Sequence, residues 1–454
     1  MEKSVDTETL FDLAVRNYQR ASFREASALL DAVLELEPSH GDAWFLLSQI
    51  HRHCDREIAA IASLKRLLQI EPDNEQALVE LGDLHTANGR PDMAVGALSR
   101  AIEVEPDNPI LHYRHGLHLR SGRRTDEALD AIDNALRLAP EFDAALFEKS
   151  LLLLQIGNLP DGWQNYDRRH VFDPAFMPPV GIPRWTGDPF PGKRLLVIHE
   201  GGHGDVIWAA RFLQPVQALG GAVHLQMRPA LRNLFCELEG IDGIVELDAD
   251  LSEFDIYCPI LSLPAMLKVS DPHEFPPAKL HSQPAEDNRL PRLLARAGDR
   301  FRVGIVWSGS ETYANNRHRA TTLEKFLPII ENPDVQVFSL QKGGQQAVLR
   351  EAGLGNLIID ADDFDFAETA ALVEALDLII MTDSSVAHIS GSLGKTIWNL
   401  LDFCPFWMFG LEDDTTPWYP SMRLFRQKSP GDWDSLFSEV REALEELVAL
   451  SQYR

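Results

Sequence analysis

The sequence predicts an α-helical solenoid followed by an α/β region built on two parallel sheets, and two observations support this. The amino-terminal third repeats with a period of 34 residues. The remainder alternates short apolar runs with amphipathic runs, which is typical of parallel strands covered by helices. A chain of 454 residues has the length of about three ordinary domains.

The repeat is marked by proline, small and large apolar residues that recur at the same step. These residues are Pro38, Pro72, Pro106 and Pro140; Ala26, Ala60, Ala94 and Ala128; and Leu30, Leu64, Leu98 and Ile132. Such a pattern is the signature of tetratricopeptide repeats, in which helix pairs stack into a superhelix with a groove. Each proline ends the second helix of its unit. We assign residues 1–170 to this solenoid, with a degenerate helix pair after Gly157 as its cap.

A group of histidines in the fourth unit could suggest a metal site. His112, His115 and His118 fall on one predicted helix. His112 and His115, however, occupy the positions that Trp44 and Leu47 fill in another unit. Metal clusters also usually bring carboxylate or thiolate ligands. We therefore interpret these histidines as packing groups and predict no metal site.

The charge and the cysteines restrict the partners and the compartment. The net charge of -27 argues against a partner that is itself polyanionic, because nucleic-acid binding needs a basic face. Four scattered cysteines form no CxxC motif, which favours reduced thiols in a cytoplasmic protein. Neither an apolar signal-peptide core nor a run of about 18 apolar residues is apparent, so we predict no transmembrane segment.

The α/β region is predicted to form two Rossmann-like domains that face a cleft. A proline-rich linker spans residues 171–193, one domain spans 194–290, and the other spans 291–454 and ends in a closing helix. Predicted strands cover residues 194–200, 222–227, 243–247, 254–260, 302–307, 335–340, 357–359, 377–382 and 396–401. Predicted helices cover residues 206–219, 229–238, 323–330, 345–352, 366–376, 385–393 and 433–450. Ligands of such sheets bind beyond the carboxyl ends of the strands.

The first candidate loop lies directly between a strand and a helix. It reads His199-Glu200-Gly201-Gly202-His203-Gly204-Asp205. The glycines permit close approach of a ligand to the backbone. Glu200, His203 and Asp205 are titratable, and one of them could act as a general base. The alternative is a tight turn in which Asp205 only caps the helix.

The second candidate loop, Thr382 to His388, also joins a strand to a helix. Its free amides, serine hydroxyls and imidazole make a potential anion site. The candidate residues are Asp383, Ser384, Ser385, Val386 and His388. The alternative is an ordinary helix start, with Ser384 or Ser385 as N-cap and His388 packed inside.

Basic residues follow the strands of the second domain. Ser308, Arg317 and Arg319 come after its first strand and Lys342 after its second, where they could bind a nucleotide phosphate. Taken singly, each cation is more often a solvated surface charge, but their common position at the strand carboxyl ends of one sheet favours a binding role. Asp248-Ala249-Asp250 resembles a metal-binding DxD motif, but in an acidic chain we attribute it to chance.

These segments together resemble bacterial tetratricopeptide proteins whose carboxyl-terminal module is similar to glycosyltransferase family 9, the heptosyltransferase-like family, and more distantly to protein O-GlcNAc transferase. The matching segments are Gly162 to Tyr166, Glu200 to Asp205, Val303 to Trp307, Ser339 to Gly343, Thr382 to Gly394 with Trp398, Thr416 to Pro420, and Leu424 to Gln427.

The resemblance implies a GT-B fold and metal-independent, inverting sugar transfer. It implies that Asp205 is the general base, that Asp383, Ser385 and His388 belong to the nucleotide-sugar motif, and that Arg319 and Lys342 bind phosphate. The chain also departs from the family. It has Glu200-Gly201-Gly202 where Glu-Gln-Gly is usual, Arg319-Ala320 for Arg-Ser, and Trp407-Met408-Phe409 for Trp-Arg-Trp.

The leading hypothesis is therefore a glycosyltransferase that moves a sugar from a nucleotide to a protein held by the repeats. Flagellin or another surface protein is a plausible acceptor by analogy. The nucleotide sugar is a substrate, and no cofactor is predicted. The alternatives are a transferase for a glycan or lipid-linked acceptor, and a catalytically inactive repeat scaffold.

Overall fold

A computed structural model of the chain describes residues 6–172, 179, 181–284, 288–311, 316–361 and 364–451. The chain forms two compact units, Met1–Glu148 and Lys149–Arg454. The first unit is helical, and the second contains both sheets. The finer division into a solenoid, a linker and two separate Rossmann-like domains stays a prediction.

The first unit consists of helix pairs whose positions follow the repeat. Its helices are α1 Thr7–Gln19, α2 Phe23–Leu36, α3 Gly41–His53, α4 Glu57–Ile70, α5 Glu75–Ala87, α6 Pro91–Val104, α7 Pro109–Ser121 and α8 Thr125–Leu138; α9 Asp143–Gln155 crosses into the second unit. The recurring alanines and large apolar residues are fully buried. Side-chain caps begin several of the helices: Asn74 Oδ1, for example, accepts a hydrogen bond from the Ala77 amide at 2.9 Å. The helix-pair prediction is therefore confirmed.

The histidines of α7 make hydrogen-bond contacts within the repeat region. His118 is buried and contacts Thr86 Oγ1 at 2.7 Å. His112 Nε2 lies 2.8 Å from the carbonyl oxygen of Pro106, which is the bond that Trp44 makes to Pro38 two repeats earlier. Burial lowers the pKa of His115 to about 4, with the neighbouring histidines adding to the effect. In the part of the chain that the structure describes, no group of histidine, cysteine or acidic side chains could hold a metal ion.

In its described residues, the second unit contains two parallel sheets. The first has β1 Arg194–Ile198, β2 Ala222–Gln226, β3 Gly243–Val245 and β4 Ile256–Pro259, in the order β3-β2-β1-β4. The second has β5 Phe301–Val306, β6 Val335–Ser339, β7 Ile358–Asp360, β8 Leu378–Thr382, β9 Ile397–Leu401 and β10 Met422–Arg426, in the order β10-β9-β8-β5-β6-β7. All strand pairs are parallel. The predicted α/β character is confirmed.

Helices precede, connect and follow these strands. They are α10 Leu159–Gln164, α11 His203–Ala209, α12 Leu213–Gln217, α13 Leu263–Met266, α14 Arg289–Ala295, α15 Asn316–Arg319, α16 Leu327–Ile330, α17 Gln346–Glu351, α18 Phe366–Ala375, α19 Ser385–Ser392 and α20 Trp433–Ser451. Among the helices described here, none is both long and apolar enough to cross a membrane.

The structure contains the short helices α13, α14 and α15, which were not predicted, and it differs from the predicted elements at three further places. The helix predicted over 229–238 is only a 3₁₀ turn, Pro229–Leu231, followed by irregular turns, although Leu231, Leu234 and Phe235 are buried at helical spacing. Strand β10 was not predicted, because Arg423 and Arg426 interrupt its apolar run. The described end of the predicted linker packs on the first sheet: the Trp185 amide donates to the Tyr257 carbonyl at 2.8 Å.

We predict that glycine is required at the helix contact of the fourth repeat. A Cβ on Gly116 would lie 2.7 Å from Ile132 Cδ1 and 3.3 Å from the Ala128 carbonyl. Gly116→Ala should therefore lower the free energy of unfolding by about 1–3 kcal/mol. Gly96→Ala is the matched control, because a Cβ there meets nothing within 4 Å and helix propensity favours alanine by up to about 1 kcal/mol. Urea unfolding followed by circular dichroism measures both, and equal effects would contradict the prediction.

Candidate functional site

The two sheets of the second unit meet where α11 and α19 touch. A Cβ on Gly204 in α11 would lie 2.7 Å from His388 Cδ2 and 3.4 Å from Ser385 Cα in α19. Glycine is therefore the residue that lets the two helices come this close. The contact brings together the two loops that the sequence singled out, one at the carboxyl end of β1 and the other at that of β8.

Asp205 lies at this junction. It is the third residue of α11, is half-buried, and accepts a hydrogen bond from the Gly202 amide at 2.7 Å. It lines a cavity of about 10 Å³ together with Tyr166, Trp208, Leu261, His388, Phe406, Trp407 and Met408. A cavity of this size is the room that one water molecule needs. Asp205 thus caps its helix, as in the second interpretation of the sequence, and its position beside this cavity leaves the role of general base as a prediction.

The surroundings of Asp205 make its carboxyl group a weaker acid than an ordinary aspartate. Burial raises its pKa to about 6, the Gly202 amide opposes the rise, and the negative charges of Asp383 and Glu200 add to it. A base is most effective when its pKa lies near the working pH. At neutral pH, Asp205 would be mostly ionised and still able to accept a proton.

The glycines before Asp205 shape the loop. Gly201 has a φ of +72°, and a Cβ there would lie 2.6 Å from Asp205 Oδ2. A side chain at this position would be strained and would also push the carboxylate away. Gly202 has an ordinary backbone conformation, and a Cβ on it would meet Asp205 Oδ2 at 3.5 Å.

Glu200, the second catalytic candidate, is committed to a buried ion pair. Its Oε1 and Oε2 accept hydrogen bonds from Arg169 Nε at 2.6 Å and Nη2 at 2.8 Å, and His170 Nε2 lies 3.0 Å from Oε1. Burial raises the pKa of Glu200, but the bonds to His170 and Arg169 outweigh burial and hold it below its usual value. A carboxylate held in this way is unsuited to accept a proton from a substrate.

His203, the third catalytic candidate, packs against the second sheet's helix α18. Its ring lies 5.1 Å from the ring of Phe366 in an edge-on arrangement. Burial, with help from the positive charge of Arg228, lowers its pKa. Of the three predicted catalytic residues, Asp205 is the one that lines the cavity.

The start of α19 exposes backbone amides to this region. Ser384 is the N-cap, but its side chain makes no capping hydrogen bond, and its buried Oγ has no partner among the described residues. Within the same set of residues, the amides of Ser385 and Val386 also have no hydrogen-bond acceptor. Unsatisfied amides at a helix start favour anions. The alternative interpretation of this loop agrees with the structure in that Ser384 is the N-cap and His388 is buried, but the Ser384 side chain forms no capping hydrogen bond.

His388 anchors α19 rather than carrying a charge. Its Nδ1 lies 3.1 Å from the Tyr419 hydroxyl, and the ring is buried. Burial lowers its pKa to about 3, and the positive charges of Arg211 and Arg319 add to the shift. The imidazole is therefore neutral at physiological pH.

The structure separates the predicted cations into different environments. Arg319 Nη1 pairs with Asp383 Oδ2 at 3.2 Å, directly before α19. Lys342 Nζ donates to the Phe364 carbonyl at 2.6 Å, and Arg317 is exposed with its Nε 3.1 Å from His318 Nε2. Of these three cations, Arg319 has a described contact with the second loop.

Ser308 lies inside a closed hydrogen-bond network. Its amide donates to Gln341 Oε1 at 3.0 Å, and its hydroxyl accepts a bond from Asn316 Nδ2 at 3.1 Å. Gln341 Nε2 returns a bond to the Ser308 carbonyl at 2.9 Å. This serine fixes the loop after β5, which suits a structural role better than direct phosphate binding.

Two candidate functional residues, Asp402 and Arg169, were not predicted from the sequence. Asp402 follows β9, which pairs with β8, so it lies at the same sheet edge as Asp383. Burial raises the pKa of Asp402 to about 7, with the charge of Asp383 adding to it. The sequence signal that could have found Asp402 is its position directly after an apolar run, as for Asp383. Arg169, the partner of Glu200, gave no comparable signal.

Family models for the tetratricopeptide repeat match residues 11–75, 58–113 and 113–168. The predicted repeats are therefore confirmed by sequence comparison as well as by the helix pairs.

Similar proteins have also been described. Protein FlbA of Caulobacter vibrioides is 27% identical over 332 residues, which is 67% of this chain and 55% of that protein. The chain thus spans about half the length of this relative. Because the match is longer than the repeat region, part of it lies in the α/β unit.

Two solved structures resemble part of this chain, with low TM-scores. The crystal structure of MamA is 21% identical, with a TM-score of 0.33, and the likeness covers 34% of this chain and 91% of MamA. The structure of YrrB, described as a TPR protein with an unusual peptide-binding site, is 19% identical, with a TM-score of 0.34, over 39% of this chain and 91% of YrrB. Likenesses this distant do not bear on activity.

The contact between α11 and α19 is testable through its glycine. Gly204→Ala should destabilise the second unit by about 1–3 kcal/mol, because the added methyl group clashes with His388 in a packed interface. Gly202→Ala, two residues away in the same loop, is the control, since its methyl would meet an ordinary contact at 3.5 Å. Thermal unfolding measures both. A Gly204→Ala protein as stable as Gly202→Ala would contradict the described helix contact.

Proposed function

We propose that this protein is an inverting glycosyltransferase that needs no metal ion and moves a sugar from a nucleotide to an acceptor. The observation that carries the proposal is the position of Asp205. A half-buried carboxyl group with a raised pKa lines a cavity at the junction of two parallel sheets, beside the open amides at the start of α19.

The start of α19 suits the phosphates of the donor. The amides of Ser385 and Val386 can donate hydrogen bonds to phosphate oxygens, and the positive end of the helix dipole adds to the attraction. Arg319, which pairs with Asp383 just before the helix, supplies a cation. As the sugar leaves, these groups would stabilise the negative charge that develops on the departing nucleotide.

Asp205 suits the acceptor side of the reaction. In an inverting transfer, a hydroxyl oxygen of the acceptor forms a bond to the anomeric carbon while the bond from that carbon to the phosphate oxygen breaks. The base takes the hydroxyl proton, and the nucleotide leaves with the bonding electrons. A carboxyl group with a pKa of about 6 can accept that proton at neutral pH.

The repeats favour a polypeptide as the acceptor. Tetratricopeptide superhelices offer a groove for an extended peptide or a helix, although this step rests on analogy between folds. The proposal therefore includes an acceptor protein bound by residues 11–168, such as flagellin or another surface protein. It also includes a cytoplasmic location, which the four scattered cysteines without a CxxC motif favour.

The variant Asp205→Asn tests whether Asp205 is the general base. Asparagine keeps an acceptor for the Gly202 amide but cannot take a proton, so transfer should fall by about 100-fold or more. The assay is the gain in intact mass of a co-expressed acceptor protein, with flagellin as the first choice. Release of nucleotide from UDP-, GDP-, ADP- and CMP-linked sugars gives a second readout.

The pH dependence of that release provides a control on the same residue. For the wild-type protein, the rate should fall about tenfold per pH unit below pH 6, because protonated Asp205 is no longer a base. Full activity of Asp205→Asn would refute the assignment. Transfer to glycan but not to protein would indicate a saccharide acceptor, and neither transfer nor nucleotide binding would indicate a repeat scaffold.

The donor site can be tested by comparing a variant of Arg319 with a control variant of Arg317. Arg319→Gln removes the cation beside α19 and leaves Asp383 uncompensated, so affinity for UDP, GDP, ADP or CMP should fall roughly 10- to 100-fold. Arg317→Gln, in the same short helix, alters an exposed side chain and should leave the affinity unchanged. Isothermal titration calorimetry measures both. Equal losses would mean that α15 contributes only a general positive field.

A further inference from the structure

A network of hydrogen bonds surrounds Arg169 in the segment that follows α10. Its guanidinium donates to Glu200 through Nε and Nη2, to the Tyr166 carbonyl at 3.0 Å and Asp167 Oδ1 at 2.8 Å through Nη1, and to Ser262 Oγ at 3.0 Å through Nη2. These five bonds match the five N–H groups of arginine. The side chain is almost fully buried. No other residue type offers this fork of donors.

The network joins three separate stretches of the second unit. Arg169 lies in the 3₁₀ turn Tyr166–Val171, Glu200 begins the glycine loop, and Ser262 follows β4. Ser262 Oγ in turn donates to Asp167 Oδ1 at 2.6 Å. The segment around Arg169 is thereby fastened to the carboxyl ends of two neighbouring strands, β1 and β4.

Glu200 is connected to Asp205 through a very short path. Gly201 and Gly202 follow Glu200 directly, and the Gly202 amide donates to Asp205 Oδ2 at 2.7 Å. The loop is therefore held at one end by the Arg169 pair and at the other by the Asp205 cap. A shift of Glu200 would move the Gly202 amide, and with it the carboxylate of Asp205.

The same segment also reaches the cavity directly. Tyr166 lines the cavity beside Asp205, and the Arg169 guanidinium lies 4.5 Å from the centre of its ring. Arg169 thus supports one wall of the cavity and anchors the loop that carries the proposed base.

We propose that Arg169 is a positioning residue for this site: by holding Glu200 it fixes the glycine loop, and hence Asp205, in the geometry that sugar transfer requires. This inference rests on the proposed function. It also assigns Glu200 a supporting role in place of the catalytic role expected from the sequence.

The first test measures the loop and needs no activity. Hydrogen–deuterium exchange of the amides of residues 200–206 should be at least about tenfold faster in Arg169→Met than in the wild-type protein. Arg184→Met is the matched control, because Arg184 contacts Asp167 and Ser262 in the same network but does not touch Glu200. The double variant Arg169→Met/Glu200→Gln removes both charges and guards against misfolding caused by an unpaired buried carboxylate.

The second test measures activity. Arg169→Met should lower kcat for nucleotide release by about 100-fold, with KM for the donor little changed, whereas Arg184→Met should retain most of the activity. Glu200→Gln should shift the acid limb of the pH–rate profile to lower pH, because one of the charges that raise the pKa of Asp205 is removed. That shift reports the charge of Glu200 at Asp205, whereas the loss of kcat at an unchanged KM in Arg169→Met is the readout that a merely structural role would not give.

The outcomes separate this inference from the proposed function. Equal loop exchange in Arg169→Met and Arg184→Met, or exchange unchanged from wild type in both, would overturn the positioning role. So would a loosened loop with an unchanged kcat. If the loop loosens in Arg169→Met alone while the wild-type protein transfers no sugar, the anchoring stands and the proposed function fails.

Discussion

The close approach of α11 to α19 is the constraint on which the candidate site depends. At Gly204 the two helices come so near that a methyl group would overlap His388. His388 is held from behind by Tyr419, and Arg211, which extends from the helical segment after α11, donates to the Trp418 carbonyl at 2.9 Å. The two sheets are therefore fastened together next to the site. This junction sets the distance between Asp205 and the open amides of α19, and any ligand must fit that distance.

The buried carboxyl groups at the junction lower the stability of the fold near neutral pH. A site with only a structural role would not require them. Burial raises the pKa of Asp205 to about 6 and that of Asp402 to about 7, and the charge of Asp383 adds to both shifts. A carboxyl group with a raised pKa in the folded protein stabilises the fold at low pH, and that stability is lost as the pH rises toward the shifted value. Near neutral pH the protein therefore keeps carboxylates that would be more stable in water. Such costs are concentrated at functional sites.

Features that depend on chain-local patterns could be predicted from the sequence, and features that depend on distant pairs could not. The period of 34 residues specified the helix pairs, and the rule that parallel strands present their carboxyl ends at one edge brought forward the loops at Asp205 and Asp383. The bond between Arg169 and Glu200 joins residues 31 positions apart, in segments that no periodicity relates. The ring contact between His203 and Phe366 likewise joins segments that no sequence pattern relates. At residues 229–238, buried apolar side chains at helical spacing predicted a helix, but their packing is satisfied by irregular turns.

The departure at Met408 bears on how such a site would work. The family that the sequence resembles has an arginine between two tryptophans where this chain has Trp407-Met408-Phe409, and Met408 lines the cavity beside Asp205. A guanidinium at that position would favour the ionised form of Asp205 and lower its pKa, which would weaken it as a base. Methionine instead contributes to the apolar wall whose burial effect raises the pKa. In the proposed transferase, the positive charge that stabilises a departing nucleotide would then come from Arg319 and the amides of α19. The proposed base therefore has an apolar neighbour at residue 408, and Arg319 is the described cation whose charge lowers the pKa of Asp205.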